Sequence, residues 1–428
     1  MRFECSLEEY KKYKLGELVE NVVAGATPKT SVDDYWNGGD IPWLSSGEVH
    51  KKFIYFTDKF ITSEGYNNSS TKIVPTNSVL IALAGQGKTR GTVAINKIEL
   101  CTNQSIASII PNEMLNYKYL FYYLESKYEY LRTLSSSDGG RGGLNLKLIR
   151  SIPIQVPSIK EQENISNFIN EIDKKILLLE QKHKLYDDFK KYLMQQIFTQ
   201  KLRFDFKDEW KQYKLKDLLS VKSSSISINQ LEDNTGTYPL LRFDYDMIKL
   251  KDICKINKGK QLNKDAMIEN GKYYVLNGGK EPSGYTNEWN TSENTITISE
   301  GGNSCGYVNF NTEKFWSGGH CYYLSNLHEN VDDYYLYSYL KFKEEFIMRL
   351  RVGSGLPNIQ KRDIENIKIQ IVSKDNQNKI SNLLLSADKK INSIQIQKEN
   401  FENFKKGLLQ QMFVVQLILS LLQNKKHI

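Results

Sequence analysis

The sequence predicts a mixed α/β (α+β) protein made of two related globules, each followed by one long helix, and three observations carry that prediction. The first is a seven-residue apolar period. Ile165, Ile172, Leu179, Tyr186 and Leu193 recur between Glu161 and Phe198, with Phe168, Ile169, Ile176, Phe189 and Ile197 beside them. This is the seam pattern of a helix packed along its whole length. The second is a copy of that stretch displaced by 215 residues (380 − 165): Ile380, Ala387, Ile394, Phe401 and Leu408, flanked by Leu383, Leu384, Ile391, Phe404 and Met412. The third is that identities return with the spacing. Asp173-Lys174-Lys175-Ile176 reappears as Asp388-Lys389-Lys390-Ile391, and Phe189-Lys190-Lys191 as Phe404-Lys405-Lys406. Such a helix is roughly 57 Å long at about 1.5 Å per residue, too long for one element of a compact domain. Two of them, each with one apolar stripe, hide it only against each other or against a partner.

Taken in order, the first globule spans 1–157 and opens with Tyr13-Lys14-Leu15-Gly16-Glu17-Leu18. Short apolar runs at 78–83 and 91–95 read as strands, and 115–134 reads as a helix with Tyr117, Leu120, Tyr123 or Leu124, and Leu131 on one side. A Ser/Gly loop at 135–143 and a strand at 152–156 follow, ended by Pro157. The first long helix occupies 158–208. The second globule, 248–372, repeats the order: an opening at Lys249-Leu250-Lys251-Asp252-Ile253, strands at 295–299 and 307–310, a helix at 332–350, a glycine loop at 351–355 and a strand at 367–372. The second long helix is 373–413 and a tail is 414–428. The chain is a tandem duplication. One segment breaks it: 209–247 holds an extra opening, Tyr213-Lys214-Leu215-Lys216-Asp217-Leu218, then a Ser-rich run. It reads either as a truncated third globule or as a linker.

A chain of 428 residues has length for two or three domains, and 25% charged with 40% hydrophobic residues is ordinary globular composition. The net charge of +8 favours a polyanionic partner, because Lys and Arg along a phosphate backbone release counterions. Five scattered cysteines form neither a disulfide framework nor a zinc spacing, which points to a reduced, cytoplasmic setting. Residues 1–14 are charged and lack the apolar core of a signal peptide. The late apolar run 413–422 is broken by Gln416 and Ser420 and too short for a bilayer, so it continues the second helix or forms a tail, and no membrane association is expected.

Motifs for chemistry are missing. Gly85-Gln86-Gly87-Lys88-Thr89 has Ala82 where a phosphate loop needs its first glycine, and Arg90-Gly91-Thr92-Val93 reads as turn into strand rather than helix. None of the nine prolines has a proline neighbour, so the Asn-Pro-Pro-aromatic signature of amino-methyl transfer is absent. Glu125-Ser126-Lys127 lacks the upstream acid of a nuclease cluster, and His320-Cys321 with Cys305 lacks a fourth metal ligand. No active site or metal site is expected. The pattern is that of a binder: two globules with polar and basic loops, held at a fixed distance by paired helices, suited to reading two short DNA sequences across an unread gap.

Over nearly its whole length the chain resembles the specificity subunit of Type I restriction-modification systems. The resemblance is carried by Tyr13-Lys14-Leu15-Gly16-Glu17-Leu18, by Ile41-Pro42-Trp43-Leu44-Ser45-Ser46-Gly47-Glu48, by Ile154-Gln155-Val156-Pro157-Ser158-Ile159-Lys160-Glu161-Gln162, and by Phe189-Lys190-Lys191-Tyr192-Leu193-Met194-Gln195-Gln196-Ile197-Phe198. It implies that each globule is a target recognition domain reading half of a bipartite double-stranded DNA site. It implies a pseudo-twofold arrangement, with the long helices antiparallel as a spacer that docks methyltransferase (modification) subunits. Those would bring S-adenosylmethionine, and restriction subunits would bring the ATP- and Mg-dependent translocase and nuclease, leaving no cofactor and no catalysis to this chain. Two departures stand out: the extra opening in 209–247, and Ile371-Val372-Ser373-Lys374-Asp375-Asn376-Gln377, which lacks the proline and glutamate of its first copy.

Candidates for DNA contact are loop residues that the duplication places equivalently. In the first globule these are Ser45, Ser46, Gln86, Lys88, Thr89, Arg90 and Gln104; in the second, Asn277, Lys280, Tyr285, Asn303, Ser304 and His320. Gln and Asn suit adenine edges and Arg and Lys suit guanine, each good pair discriminating by about 1 to 3 kcal/mol. Arg141 and Arg351 in the glycine loops are candidates for phosphate. For each residue a solvated loop position is the plain alternative. The Tyr-rich stretches 117–130 and 334–339 are expected to pack rather than stack on bases, and Lys174, Lys175, Lys389 and Lys390 to be solvated or paired to a partner. Two competing functions stay open: a self-contained restriction or methylation enzyme, and a coiled-coil scaffold without a DNA role.

Overall fold

The computed structural model describes residues 10–85, 88–134, 143–202, 247–353 and 357–413. Gln86, Arg141, the 414–428 tail and all of 209–247 except Met247 lie outside the described residues. The chain divides into two compact units, one from 1–181 and 395–428, the other from 182–394. Each unit therefore holds one globule, the near part of its own long helix and the far part of the other.

In the first unit a five-stranded sheet runs in the order Val19–Ala24, Ile106–Pro111, Val79–Ala82, Val93–Asn96, Phe53–Ile54. Val79–Ala82 is buried at every position, because both faces are covered. Val79 and Ile81 pack with the helix Tyr117–Ser126, whereas Leu80 and Ala82 pack with Leu44, Val49 and Ile54 on the other side. A three-stranded sheet, Lys59–Ile61, Ile41–Leu44, Cys101–Thr102, stands beside it.

The second unit repeats the plan with a four-stranded sheet, Lys255–Lys258, Cys321–Ser325, Thr295–Ser299, Val308–Asn311, and a three-stranded one, Gly284–Thr286, Tyr273–Leu276, Trp316–Ser317. In both, two short antiparallel strands join the start of the globule to its end: Lys11–Lys14 with Pro153–Val156, and Met247–Lys249 with Lys368–Gln370.

The helix expected over 115–134 is two helices, Tyr117–Ser126 and Tyr128–Leu134, and the one expected over 332–350 is Asp333–Phe342 followed by Glu344–Arg349. The chain leaves helical geometry at Lys127 and at Lys343, where ψ rises to 12° and 4°. In the first unit this break points the buried Lys127 ammonium at the carbonyl of Phe413, 3.0 Å away. Tyr119, Tyr122, Tyr123, Tyr334, Tyr335 and Tyr339 of these helices are buried packing residues, whereas Tyr130 is exposed. Tyr119 donates to the Gln155 carbonyl at 2.8 Å and Tyr335 to that of Gln370 at 2.9 Å, the same bond in each copy.

The long helices are Ile159–Phe198 and Lys374–Phe413. Within the first unit they are antiparallel: Asp173 meets Lys405, and further along Glu180 and Glu402 share one cavity wall. Of the seam residues, Ile165, Ile172, Leu179, Leu193, Ile380, Ile394 and Leu408 are buried, while Tyr186, Ala387 and Phe401 are half-buried. Three aromatics expected beside the seam are exposed: Phe168 at 37%, and the repeat-related Phe189 and Phe404 at 51% each. The buried flanking residues Ile169, Ile197, Leu384, Ile391 and Met412 each stand four places after a seam residue, whereas Phe168, Phe189 and Phe404 stand three places after one, on the side that a 3.6-residue helix turns outward. No helix among the described residues is long and apolar enough to cross a membrane.

Each long helix is stapled to its globule by one glutamine. Gln162, 1% exposed, accepts from the Asn116 amide at 2.9 Å and donates to the Met114 and Pro157 carbonyls at 3.0 Å. Gln377, fully buried, accepts from the Asp332 amide at 2.8 Å and donates to the Asn330 and Val372 carbonyls at 2.9 and 2.8 Å. Both bonded amides belong to residues that cap the following helix with their own side chains.

Candidate nucleic-acid interface

In the first unit the strand ends Ala24, Ala82, Val93 and Ile106 lie together, because Ala24 pairs with Ala107, Ala82 with Ile106, and Ile81 with Val93. The segments leaving that end are 25–27, 83–85, 88–92 and 103–105. Leu44 joins them by accepting from the Asn103 amide at 3.1 Å, which brings Ser45 alongside. The chain crossings are so close that Gly25 has no room for a side chain: a Cβ there would lie 1.9 Å from the Thr102 carbonyl oxygen. The hairpin closes through Gly91, at φ +85°, whose amide donates to the Ala82 carbonyl at 2.9 Å.

The second unit builds the same end from different side chains. Lys258 pairs with Tyr322, Ser299 with Cys321, and Ile298 with Val308. Gly259 repeats the crossing of Gly25, with a would-be Cβ 2.2 Å from the Gly318 oxygen, and Gly306, at φ +88°, repeats Gly91. The frame bonds coincide. Leu83 N–H donates to the Ser105 carbonyl and Leu144 N–H to that of Leu83; Glu300 N–H donates to the His320 carbonyl and Ile359 N–H to that of Glu300.

Most of the candidate residues fall on this end of their unit. Exposed Gln104 accepts from the Thr27 hydroxyl at 2.5 Å. Lys88, Thr89 and Arg90 form the hairpin turn, fixed by the Tyr128 hydroxyl on the Lys88 carbonyl at 2.8 Å, and Arg132 in turn donates to that hydroxyl at 3.0 Å. In the second unit Asn277 accepts from the His320 amide at 3.3 Å, Lys280 lies over the Tyr307 ring at 5.4 Å, and Asn303 and Ser304 occupy the hairpin turn. Exposed Arg351 follows closely, since Gly301 and Val352 both bridge to Asn358. Two candidates lie off the cluster. Ser46 is taken into the 3-10 turn Ser46–Lys51, whose preceding Ser45 is locked to the Glu48 carboxylate at 3.1 Å. Tyr285 sits opposite Tyr274 on the three-stranded sheet.

Sequence reasoning named His320 but missed the buried carboxylate beside it. Glu300, 5% exposed, accepts from Lys258 at 2.6 Å and from the Tyr322 hydroxyl at 3.1 Å, and its other oxygen is 3.7 Å from His320 Nδ1. Burial, with Glu300 beside it, pushes the Tyr322 phenol up to about 12, so it stays protonated and donates. Burial likewise raises the Cys101 and Cys305 thiols and pushes Cys321 up to about 11, so they are neutral packing groups. The equivalent of Glu300 in the first copy is apolar Leu83, which is why no repeat pattern drew attention to it.

The architecture is two copies of one sheet-end loop platform and two long helices. A model of the Type I restriction modification DNA specificity domain matches residues 7–185 and 242–401, and the chain belongs to that family. It is 26% identical over 393 residues to the Type I restriction enzyme MjaIX specificity subunit of Methanocaldococcus jannaschii, covering 84% of each chain. It is 23% identical over 433 residues to the MjaVIII specificity subunit of the same organism, covering 94% of this chain and 91% of that one. A crystal structure of the Type I restriction-modification S subunit from M. genitalium shares the fold at a TM-score of 0.61 and 16% identity, over 96% of this chain and 99% of the other.

Proposed function

We propose that this chain is the non-catalytic address subunit of a Type I restriction-modification enzyme, each globule reading one half of a bipartite double-stranded DNA site with its sheet-end loops. The observation that carries this reading is the duplicated frame with diverged side chains. The same glycine crossings and backbone bonds present Gln104, Lys88 and Arg90 in one unit and Lys258, Asn277, Lys280 and His320 in the other. One frame with two side-chain sets suits two different short sequences, because base edges are distinguished by donor and acceptor pattern. Methyltransferase subunits carrying S-adenosylmethionine and restriction subunits using ATP and Mg would supply the chemistry in the cytoplasm.

The test has two parts. Mobility shift of random duplex DNA at several salt concentrations is expected to weaken steeply with salt, as phosphate contacts require. Mapping methylated bases across a host genome with and without the gene is expected to reveal a two-part motif that vanishes on deletion. A flat salt response with no lost motif overturns the proposal.

A further inference from the structure

A buried carboxylate is costly unless its partners need it, and the first unit builds the same backbone frame with Leu83 in that place. The frame therefore does not require Glu300. What Glu300 does is accept from Lys258 and from the Tyr322 hydroxyl at the loop platform and face the His320 ring. Lys258, half-exposed, is fixed at 2.6 Å, and the exposed imidazole of His320 faces the second oxygen at 3.7 Å. The surrounding backbone is tightly set. Gly278 at φ +80° would put a Cβ 2.4 Å from the His320 carbonyl, and a Cβ on Gly318 would lie 2.5 Å from Asn277 Oδ1. Lys258 thus has its backbone set by the strand and its ammonium held by one carboxylate oxygen, while its side chain stays 53% exposed, so an ammonium with three donors keeps capacity for a further acceptor.

We infer that Glu300 is a positioning residue for sequence specificity, fixing Lys258 as the donor that reads a guanine in the half-site of the second globule; this rests on the reading of the platform as the DNA-facing surface. Lys is a donor only, and guanine offers two acceptors, O6 and N7, on its major-groove edge. The apolar Leu83 of the first unit holds no equivalent donor, so the effect is confined to one half-site.

The experiment is selection from a randomised duplex pool by the full-length chain, comparing wild type with Lys258→Ala, Glu300→Gln and Glu300→Leu, the last copying the first unit. Wild type is expected to select two separated sequences. Lys258→Ala and both Glu300 variants are expected to relax one guanine position of one half roughly 5- to 100-fold and leave the other half unchanged, while Glu300→Asp restores part of the preference. A uniform loss of affinity with a shallower salt slope assigns Lys258 to phosphate and overturns the inference. Unchanged selection by well-folded variants overturns it too, and so does loss of both halves together with a lowered melting temperature, which marks Glu300 as merely structural. If wild type itself selects no two-part sequence, the underlying DNA reading fails instead.

Discussion

Between the long helices, the two units complete the same ion pair in different ways. Asp173 with Lys405 and Asp388 with Lys190 are repeat equivalents, at 2.7 and 2.5 Å. In the first unit the globule adds a carboxylate: Glu125 reaches Lys405 at 2.7 Å and Lys52 at 2.6 Å, and Lys405 is only 6% exposed. In the second the globule adds a hydroxyl, Tyr334 donating to Asp388, while the counterpart of Glu125 is Lys341, bonded to Glu344 and the Val308 carbonyl. The helix pair is common property, but each globule is matched to it by its own chemistry. A second globule moved into the first position would bring an ammonium, not a carboxylate, to Lys405.

The sharpest way to break this comparison is Lys405→Ala, which takes from Asp173 its bonded cation and leaves Glu125 with Lys52 alone. The expected loss is about 3 to 5 kcal/mol in the stability of the first unit, read by denaturant unfolding with a probe in each unit. A loss shared equally by both units contradicts it. Next in size, Gln162→Leu and Gln377→Leu each strand one amide and two carbonyls, and each is expected to cost about 2 kcal/mol in its own unit. Unequal costs would show that one staple has drifted from the shared design.

Acid sharpens the contrast further. Burial pushes Glu125 up, but the Lys405 and Lys52 charges outweigh it, and its carboxyl ends below the ordinary 4.5. Stability from this group is complete above that value and is lost as pH falls through the folded pKa. In the second unit burial raises Asp333 above 3.8, a penalty that acid relieves. Acidification below about pH 4.5 is therefore expected to weaken the first unit relative to the second, and Glu125→Gln to remove much of that difference, as followed by unit-specific fluorescence. The smallest effect belongs to Phe189→Ala and Phe404→Ala, each expected within about 0.5 kcal/mol of wild type, against about 2 to 5 for Ile165→Ala.

The two long helices and the strands at 78–83, 91–95, 152–156, 295–299, 307–310 and 367–372 were legible because they rest on periodicity and on the 215-residue repeat, as at Ile165 and Ile380, whereas the sheet order was not. The breaks at Lys127 and Lys343 were not, since both residues suit a helix interior and only the turn geometry ends it. Phe189 and Phe404 misled because apolar character was counted without asking which face had cover. Gln162 and Gln377 carried a usable signal, identical residues 215 apart (377 − 162) at the first turn of each long helix, but a glutamine among charges reads as solvent-facing. Glu300 and the Glu125–Lys405 cluster diverge between copies, so the repeat hid what distinguishes them.

The glycine crossings at Gly25 and Gly259 carry one more consequence. A Cβ would lie 1.9 Å from a backbone oxygen at Gly25 and 2.2 Å from one at Gly259, so the scaffold behind the side chains that differ between the copies tolerates no added bulk there. Alterations in what each half reads are thereby channelled into the neighbouring side chains, as letters exchanged in a rigid type-holder, and a lineage can acquire a new address without relearning how to fold.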